Sequence, residues 1–262
     1  MNLTVPPVVA RAANSEVRKV TSVRLNWLIG GGVVVAGVAA FIALGTAFQP
    51  GGNHEEGFST GSGWAALLTI WVLVLTVASA AAFGALGTAS EFESGSMAMS
   101  TLFTPDRNLL LGSKLAVAAA FSLGTVLAME VLGGAAMRLA GGDRVPMDSG
   151  FFGILVGTAL AALCWAVIGS ALGFVLRSPT RALAAILGWA VLEPLIWITA
   201  RAIGFGGLAA ILPVASTVGA ISGGRYAKSA LIAPTPAAMA LLVIWSAAAG
   251  AAGWYFFTRR DI

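Results

Sequence analysis

Charged residues are scarce in this sequence. They make up 10% of its 262 residues, against about 25% in a typical soluble domain. Hydrophobic residues account for 58%, and the mean hydropathy is +0.90. Several apolar runs approach the length of about 20 residues that a membrane-crossing helix needs. The shortage of charge therefore argues against an ordinary soluble domain and predicts a polytopic helical membrane protein.

Residues that build metal, redox and catalytic sites are also few. The single cysteine, Cys164, excludes an intrachain disulfide, a cysteine-rich zinc site and an iron–sulfur cluster. The single histidine, His54, lies beside Glu55 and Glu56 in a glycine-rich stretch that we interpret as a solvated loop. HExxH, GxSxG and P-loop motifs are missing. We therefore expect a protein that is not an enzyme and that binds no metal or cofactor directly.

The apolar runs predict an all-α fold in which residues 1–262 form a single transmembrane domain. Pairs of glycines four residues apart in the fourth run favour close helix packing. The six predicted spans cover about residues 27–48, 64–89, 110–137, 151–176, 182–200 and 237–257.

An amphipathic helix is predicted ahead of the first span. Residues 1–14 have no clear period, which indicates a loose start, and Ser15 is a plausible N-cap. Over residues 15–26 apolar side chains recur at helical spacing opposite a basic face. This pattern is typical of a helix that lies at the membrane interface.

The apolar stretch 203–221 raises the alternative of a seventh span. Positive charge counts against it, because six spans leave ten Lys and Arg on one side and five on the other, as the positive-inside rule requires. We therefore predict short external or re-entrant helices between spans five and six, and cytoplasmic termini. The ten are Arg11, Arg18, Lys19, Arg24, Arg107, Lys114, Arg177, Arg181, Arg259 and Arg260; the five are Arg138, Arg144, Arg201, Arg225 and Lys228.

The stretch Glu91–Pro105, EFESGSMAMSTLFTP, is a polar interruption between spans two and three. It is long for a connection between antiparallel neighbours. Met99, Leu102 and Phe103 fall at helical spacing within it. A helix there would expose this apolar face to water unless a partner covered it. A short cytoplasmic helix that presents such a face suits docking into a groove of a partner protein.

Two carboxylates, Glu130 and Glu193, interrupt the third and fifth spans. Intramembrane acids are costly and usually face a cavity or a partner. One interpretation places both on a translocation path or gate. In the other they are structural, with Glu130 reaching Arg138 and Glu193 satisfying backbone groups freed by Pro194.

Four segments together resemble the membrane subunits (permeases) of type 2 ABC exporters, in their actinobacterial form. The resemblance covers nearly the whole chain, and the second segment is its most specific part, although it has Glu93 where the family often has a basic residue. The segments are SEVRKVTSVRLNW, EFESGSMAMSTLFTPDRNLLLGSKL, RSPTRALAAILGWAVLEPLIW and LPVASTVGAISG.

The resemblance implies a mechanism and partners. It makes the N-terminal helix a connecting helix, and it makes the stretch after span two a coupling helix seated on a separate nucleotide-binding ATPase. Two ATPase copies bind ATP-Mg, and two permease subunits pair as a homo- or heterodimer in the plasma membrane. The contacts to the ATPase, or to the helices that brace the coupling helix, are then Glu91, Phe92, Glu93, Gly95, Met99, Leu102 and Phe103.

The expected function is thus export of an amphipathic or hydrophobic compound, such as a drug, an antibiotic or a lipid. The main alternative is a secondary transporter driven by an ion gradient, with Glu130 or Glu193 as the proton site; an inverted repeat would be expected there. A membrane-embedded enzyme or a non-transporting scaffold is a third class. Such a scaffold would tolerate loss of both carboxylates without a transport phenotype.

Overall fold

The computed structural model is helical throughout the part of the chain that it describes, residues 6–47, 63–145, 147–223 and 232–260. His54, Glu55, Glu56, Arg225 and Lys228 lie outside these ranges. Ten α-helices occur within them, and Gly142–Arg144 forms a short 3-10 turn. The helices are α1 (Pro7–Ser22), α2 (Arg24–Ala47), α3 (Gly63–Glu93), α4 (Ser96–Phe103), α5 (Arg107–Gly141), α6 (Ser149–Leu176), α7 (Pro179–Ala202), α8 (Gly206–Ala210), α9 (Pro213–Ile221) and α10 (Thr235–Arg259).

Six of the described helices are long and apolar enough to cross a membrane, which confirms the prediction of an all-α, multi-pass fold. The apolar stretch 203–221 is not a seventh candidate, because it is divided between α8 and α9. Pro213 begins α9 as its first residue, a position that proline tolerates. The six segments are Arg24–Thr46, Val74–Glu93, Arg107–Gly141, Ser149–Leu176, Pro179–Ala202 and Thr235–Arg259.

The N-terminal helix differs from the prediction of a loose start and a helix over residues 15–26. It begins at Pro7, so Ser15 lies inside α1 and does not cap it. Proline suits the first turn, where its missing N–H would be unpaired anyway. The helix also ends earlier, because Val23 is extended. Asn26 and Trp27 then donate side-chain hydrogen bonds back to carbonyls of α1 and hold the corner between α1 and α2.

Two aspartates set helix starts that the apolar pattern placed two or three residues too late. The Asp106 carboxylate accepts hydrogen bonds from the backbone N–H groups of Asn108 and Leu109, and α5 begins at Arg107. Asp148 accepts from the N–H of Phe151 at the start of α6. Both are N-caps, which satisfy donors that have no partner within the helix.

The core depends on glycines of α6 that allow backbones to approach. A Cβ at Gly169 would overlap the carbonyl oxygen of Ala81 on α3, and one at Gly173 would lie 2.8 Å from the Cβ of Thr88. A Cβ at Gly157 would overlap the carbonyl oxygen of Ala220 on α9. The small-residue pairs of the fourth span therefore mediate close packing, as predicted.

We expect Gly169→Ala to destabilise the protein, because the added methyl group pushes α3 and α6 apart at a cost of about 1–3 kcal/mol. Gly124→Ala is the matched control. It lies in α5 with open space around its missing Cβ, and alanine favours a helix by about 1 kcal/mol over glycine. Thermal unfolding in detergent should show a lower midpoint for the first variant and an unchanged or higher midpoint for the second. Equal midpoints would contradict this packing.

Candidate coupling site

The short helix α4 begins at a backbone position that favours glycine. Gly95 precedes α4 with φ +71°, in the left-handed region, where a side chain is disfavoured. This turn changes the direction of the chain between the end of α3 and the start of α4. Met97 is buried, with 1% of its surface exposed, against Leu110 and Leu111 of α5. One side of α4 is therefore fixed to the bundle.

Four charged side chains meet beside α4 in a closed arrangement that we call the charge ring. Lys19 donates to Glu16 at 2.7 Å and lies 3.3 Å from Glu91. Lys114 donates to the other oxygen of Glu16 at 2.8 Å and to Glu91 at 2.5 Å. Positive and negative groups alternate, so the ring is neutral as a whole. It joins α1, α3 and α5.

The charge ring also includes α4 through a hydroxyl group. Lys19 Nζ donates to Ser100 Oγ at 2.8 Å, and Ser100 Oγ lies 3.3 Å from a carboxylate oxygen of Glu91. Burial lowers the pKa of Lys19, but hydrogen bonds and the charges of Glu16 and Glu91 outweigh it, so the pKa is raised overall. Lys19 is therefore charged at neutral pH, and four helices share one polar network.

An aromatic cluster supports α4 on its other flank. Phe92 packs edge-on against Phe174 and Phe257, with ring centroids 6.2 and 6.4 Å apart. Phe174 and Phe257 have no exposed surface, and Met97 joins them. The Arg177 guanidinium lies 5.0 Å from the centroid of the Phe92 ring, within reach of a cation–π interaction. The cluster links the end of α3 to α6 and α10.

The last turn of α10 is fastened to the same end of the bundle. Arg107 donates to the carbonyl oxygens of Phe257 and Thr258, which have no partner within the helix. Trp254 donates to the Asn108 side chain at 2.6 Å. Arg260 donates to the carbonyl oxygen of Val175 at the end of α6. The start of α5 and the ends of α6 and α10 thus form one unit around α4.

The opposite face of α4 is apolar and exposed. Met99, Leu102 and Phe103 show 55%, 74% and 83% of their surface. We call these three residues the α4 face. Glu93 is also exposed. The seven residues named from the sequence therefore divide: Glu91 and Phe92 bind inside the chain, Gly95 shapes the turn, and the other four point away.

Glu193 is fully buried and caps α9 from α7. One carboxylate oxygen accepts from the Val214 N–H at 3.0 Å and from the Trp189 indole at 2.6 Å. The other accepts from the Ala215 N–H at 2.7 Å. The structural interpretation in which Glu193 satisfies the backbone group freed by Pro194 is wrong. Proline leaves a backbone carbonyl without a donor, and a carboxylate cannot donate a hydrogen bond to it. The partners of Glu193 are the unpaired N–H groups of the first turn of α9.

Glu130 is buried in α5, and its Oε1 has no hydrogen-bond partner among the described residues. The expected contact with Arg138 does not form there. Arg138 instead donates to the carbonyl oxygen of Gly142 and to Asp143, both in the 3-10 turn that follows α5. The two carboxylates that the sequence grouped together therefore have different surroundings.

Four members of the polar network were not named from the sequence as site residues: Glu16, Lys19, Ser100 and Lys114. The two lysines entered only the count of positive charges on either side of the membrane. A signal for Lys114 existed, since it interrupts the apolar run LLLGSKLAVAAA and a lysine there needs a partner. Among the described residues, no group of three His, Cys, Asp or Glu side chains is arranged to hold a metal ion.

Comparisons with family models, with curated proteins and with solved structures found no match to this chain. The interpretation of the site therefore depends on its geometry.

We expect Lys114→Met to lower the free energy of unfolding by about 3–5 kcal/mol, because it leaves two buried carboxylates to share one lysine. Glu16→Gln in the same chain removes the excess charge and should recover part of this loss. Arg138→Gln is the control, since its partner Asp143 is almost fully exposed and such pairs contribute about 1 kcal/mol or less. Denaturant unfolding in detergent measures all three. If Lys114→Met is as stable as Arg138→Gln, the charge ring does not have this structural role.

We expect Glu193→Ala to loosen α9, because the N–H groups of Val214 and Ala215 lose their acceptor. Hydrogen exchange followed by mass spectrometry should show faster exchange in the peptide that covers residues 213–221. Glu130→Gln is the control, since its Oε1 bonds to none of the described residues, and α9 should exchange at the normal rate. Unchanged exchange in Glu193→Ala would rule out the cap.

Proposed function

We propose that this chain is the membrane-spanning permease subunit of an ABC exporter, and that α4 is the helix on which a separate ATPase acts. The observation that carries the proposal is the position of α4. It is fixed on one side by the charge ring and the aromatic cluster, and it presents the α4 face on the other. Force applied to α4 would reach α1, α3, α5, α6 and α10 through contacts already formed.

The α4 face fits a docking surface better than a lipid contact. It lies on a short connection beyond the ends of the spans, beside the charge ring and the exposed Glu93. A helix that inserts apolar side chains into a groove of a partner is a common recognition mode. The sequence has no P-loop, so ATP-Mg would be bound and hydrolysed by two copies of the partner.

The remaining features of the proposal follow from charge and composition. The end of the bundle that carries α4 holds most of the lysines and arginines, which favours a cytoplasmic location for it and for both termini. The chain would act in the plasma membrane beside a second permease subunit. Its spans are rich in Ala, Gly, Val and Leu, which suits an amphipathic or hydrophobic substrate such as a drug, an antibiotic or a lipid.

A second candidate, transport driven by an ion gradient, is favoured by Glu130. A buried carboxyl group whose Oε1 lacks a partner among the described residues is a reasonable proton site. Glu193 supports this candidate less, because its carboxylate accepts three hydrogen bonds. Transport assays in vesicles distinguish the ABC exporter from the gradient-driven transporter. ATP dependence favours the exporter, whereas loss of transport on adding an uncoupler, together with loss in Glu130→Gln, favours the gradient-driven transporter.

We expect Phe103→Glu to abolish coupling to the ATPase, because a carboxylate would have to be buried in an apolar groove. Leu139→Glu is the matched control: Leu139 is 87% exposed but lies near the other end of α5. Each variant is co-expressed with a P-loop ATPase that co-purifies with the unaltered chain. ATP turnover and co-purification should fall at least about tenfold for Phe103→Glu, a change of about 1.4 kcal/mol, and stay normal for the control.

Two results would contradict the proposal. Normal binding and turnover in Phe103→Glu would show that the α4 face is not the docking surface. Absence of any ATPase that binds the unaltered chain would argue against an ABC subunit altogether.

A further inference from the structure

A cavity of about 550 Å³ lies next to the charge ring, between α1, α2, α3 and α5. The residues that line it change in character from one end to the other. Its walls include the apolar side chains of Ile29, Phe83 and Val117, and its floor is the charge ring. Asn26 and Ser90 lie between these zones as uncharged polar groups. The cavity is therefore amphipathic, with one charged end and one apolar end.

The mouth of the cavity faces away from the rest of the chain. Val23, Leu25 and Gly87 belong to its lining and are all exposed. They lie where α1 turns into α2 and on the facing side of α3, near the membrane-boundary ends of these helices. A molecule in the bilayer could therefore enter from the side, with its polar end at the level of α1. The volume is in the range of small-molecule sites, about 300–1,000 Å³.

The charge ring restricts which head group fits. Its two lysines and two glutamates sum to zero, and both carboxylates already accept from lysine. A head group with a net charge would place that charge beside a neutral, half-buried floor without compensation, which is unfavourable. A head group with one positive and one negative group adds no net charge. Its anion can approach the partly exposed Lys19 while its cation approaches Glu91.

We propose that this cavity binds an amphiphile with a zwitterionic head group and one apolar chain, taken from the leaflet next to α1. The head group lies on the charge ring, and the chain runs along Ile29, Phe83 and Val117. The binding site follows from the cavity and the ring. Its use as an access site for exported molecules rests on the proposed function, for which it names the substrate class.

The test uses the full chain in lipid vesicles without any ATPase. Three single-chain probes carry the same photoreactive diazirine in the chain and differ in the head group: zwitterionic phosphocholine, anionic phosphoglycerol or cationic trimethylammonium. After illumination, mass spectrometry locates the labelled residues. We expect the phosphocholine probe to label the cavity walls about tenfold more than either charged probe, which corresponds to about 1.4 kcal/mol.

Two glycines provide a matched pair of positions with open space for a Cβ. Neither Gly87, at the cavity, nor Gly188, in α7, has an atom within 4 Å of the position of its missing Cβ. Gly87→Trp should fill the cavity and remove labelling of its walls, whereas Gly188→Trp should leave labelling unchanged. Lys19→Met makes the ring negative, and the preference should move to the cationic probe. This shift tests the charge argument independently of cavity shape.

Three outcomes would overturn the inference. Labelling that persists in Gly87→Trp would mean that the probe only contacts the outer surface. Equal labelling by all three probes would remove the role of the ring. Absence of cavity labelling with every probe, as expected if a second copy fills the space, would remove the binding site. Photolabelling needs no ATPase, so it can succeed even if the ATPase does not dock on α4. Loss of photolabelling, in turn, would not affect the co-purification test of α4.

Discussion

The charge ring is the interaction on which the rest of this end of the molecule depends. Lys114, Glu16 and Glu91 are largely withdrawn from water there, Lys19 is partly exposed, and each lysine lies between two carboxylates. Such a group is stable only when every member is present, because a single removal leaves buried charge uncompensated. The ring therefore sets the relative positions of α1, α3 and α5. Through Ser100, it also sets the position of α4.

The two ends of the bundle use different means to hold short helices. At the end with α4, the charge ring and the aromatic cluster both hold α4, and Arg107 donates hydrogen bonds to the last turn of α10. Toward the other end of the spans, Glu193 caps α9, and Trp165 donates to Thr217 at 2.8 Å to hold the same helix against α6. In both places a charged or polar side chain satisfies groups that an apolar environment would leave unpaired.

The glycine contacts explain how two long spans can be fixed so closely. Gly169 and Gly173 bring α6 against α3, and the last turn of α3 carries Glu91 and Phe92. A displacement of α4 would therefore act on a helix pair with little room to deform. This arrangement suits transmission of a movement along the spans, and it gives the proposed coupling function a mechanical basis.

The sequence alone determined the all-α class, the six spans, the close-packing glycines of α6 and the exposed apolar residues of α4. These features follow from local hydrophobicity, periodicity and the cost of charge in an apolar run, all of which can be read along the chain. It did not determine the start of α1, because proline and alanine permit a helix without marking one. Tertiary structure alone decided that Glu16, Lys19, Glu91 and Lys114 meet. Each charge lies on a different turn or helix, and only the packing of α1, α3 and α5 brings their side chains within hydrogen-bond distance.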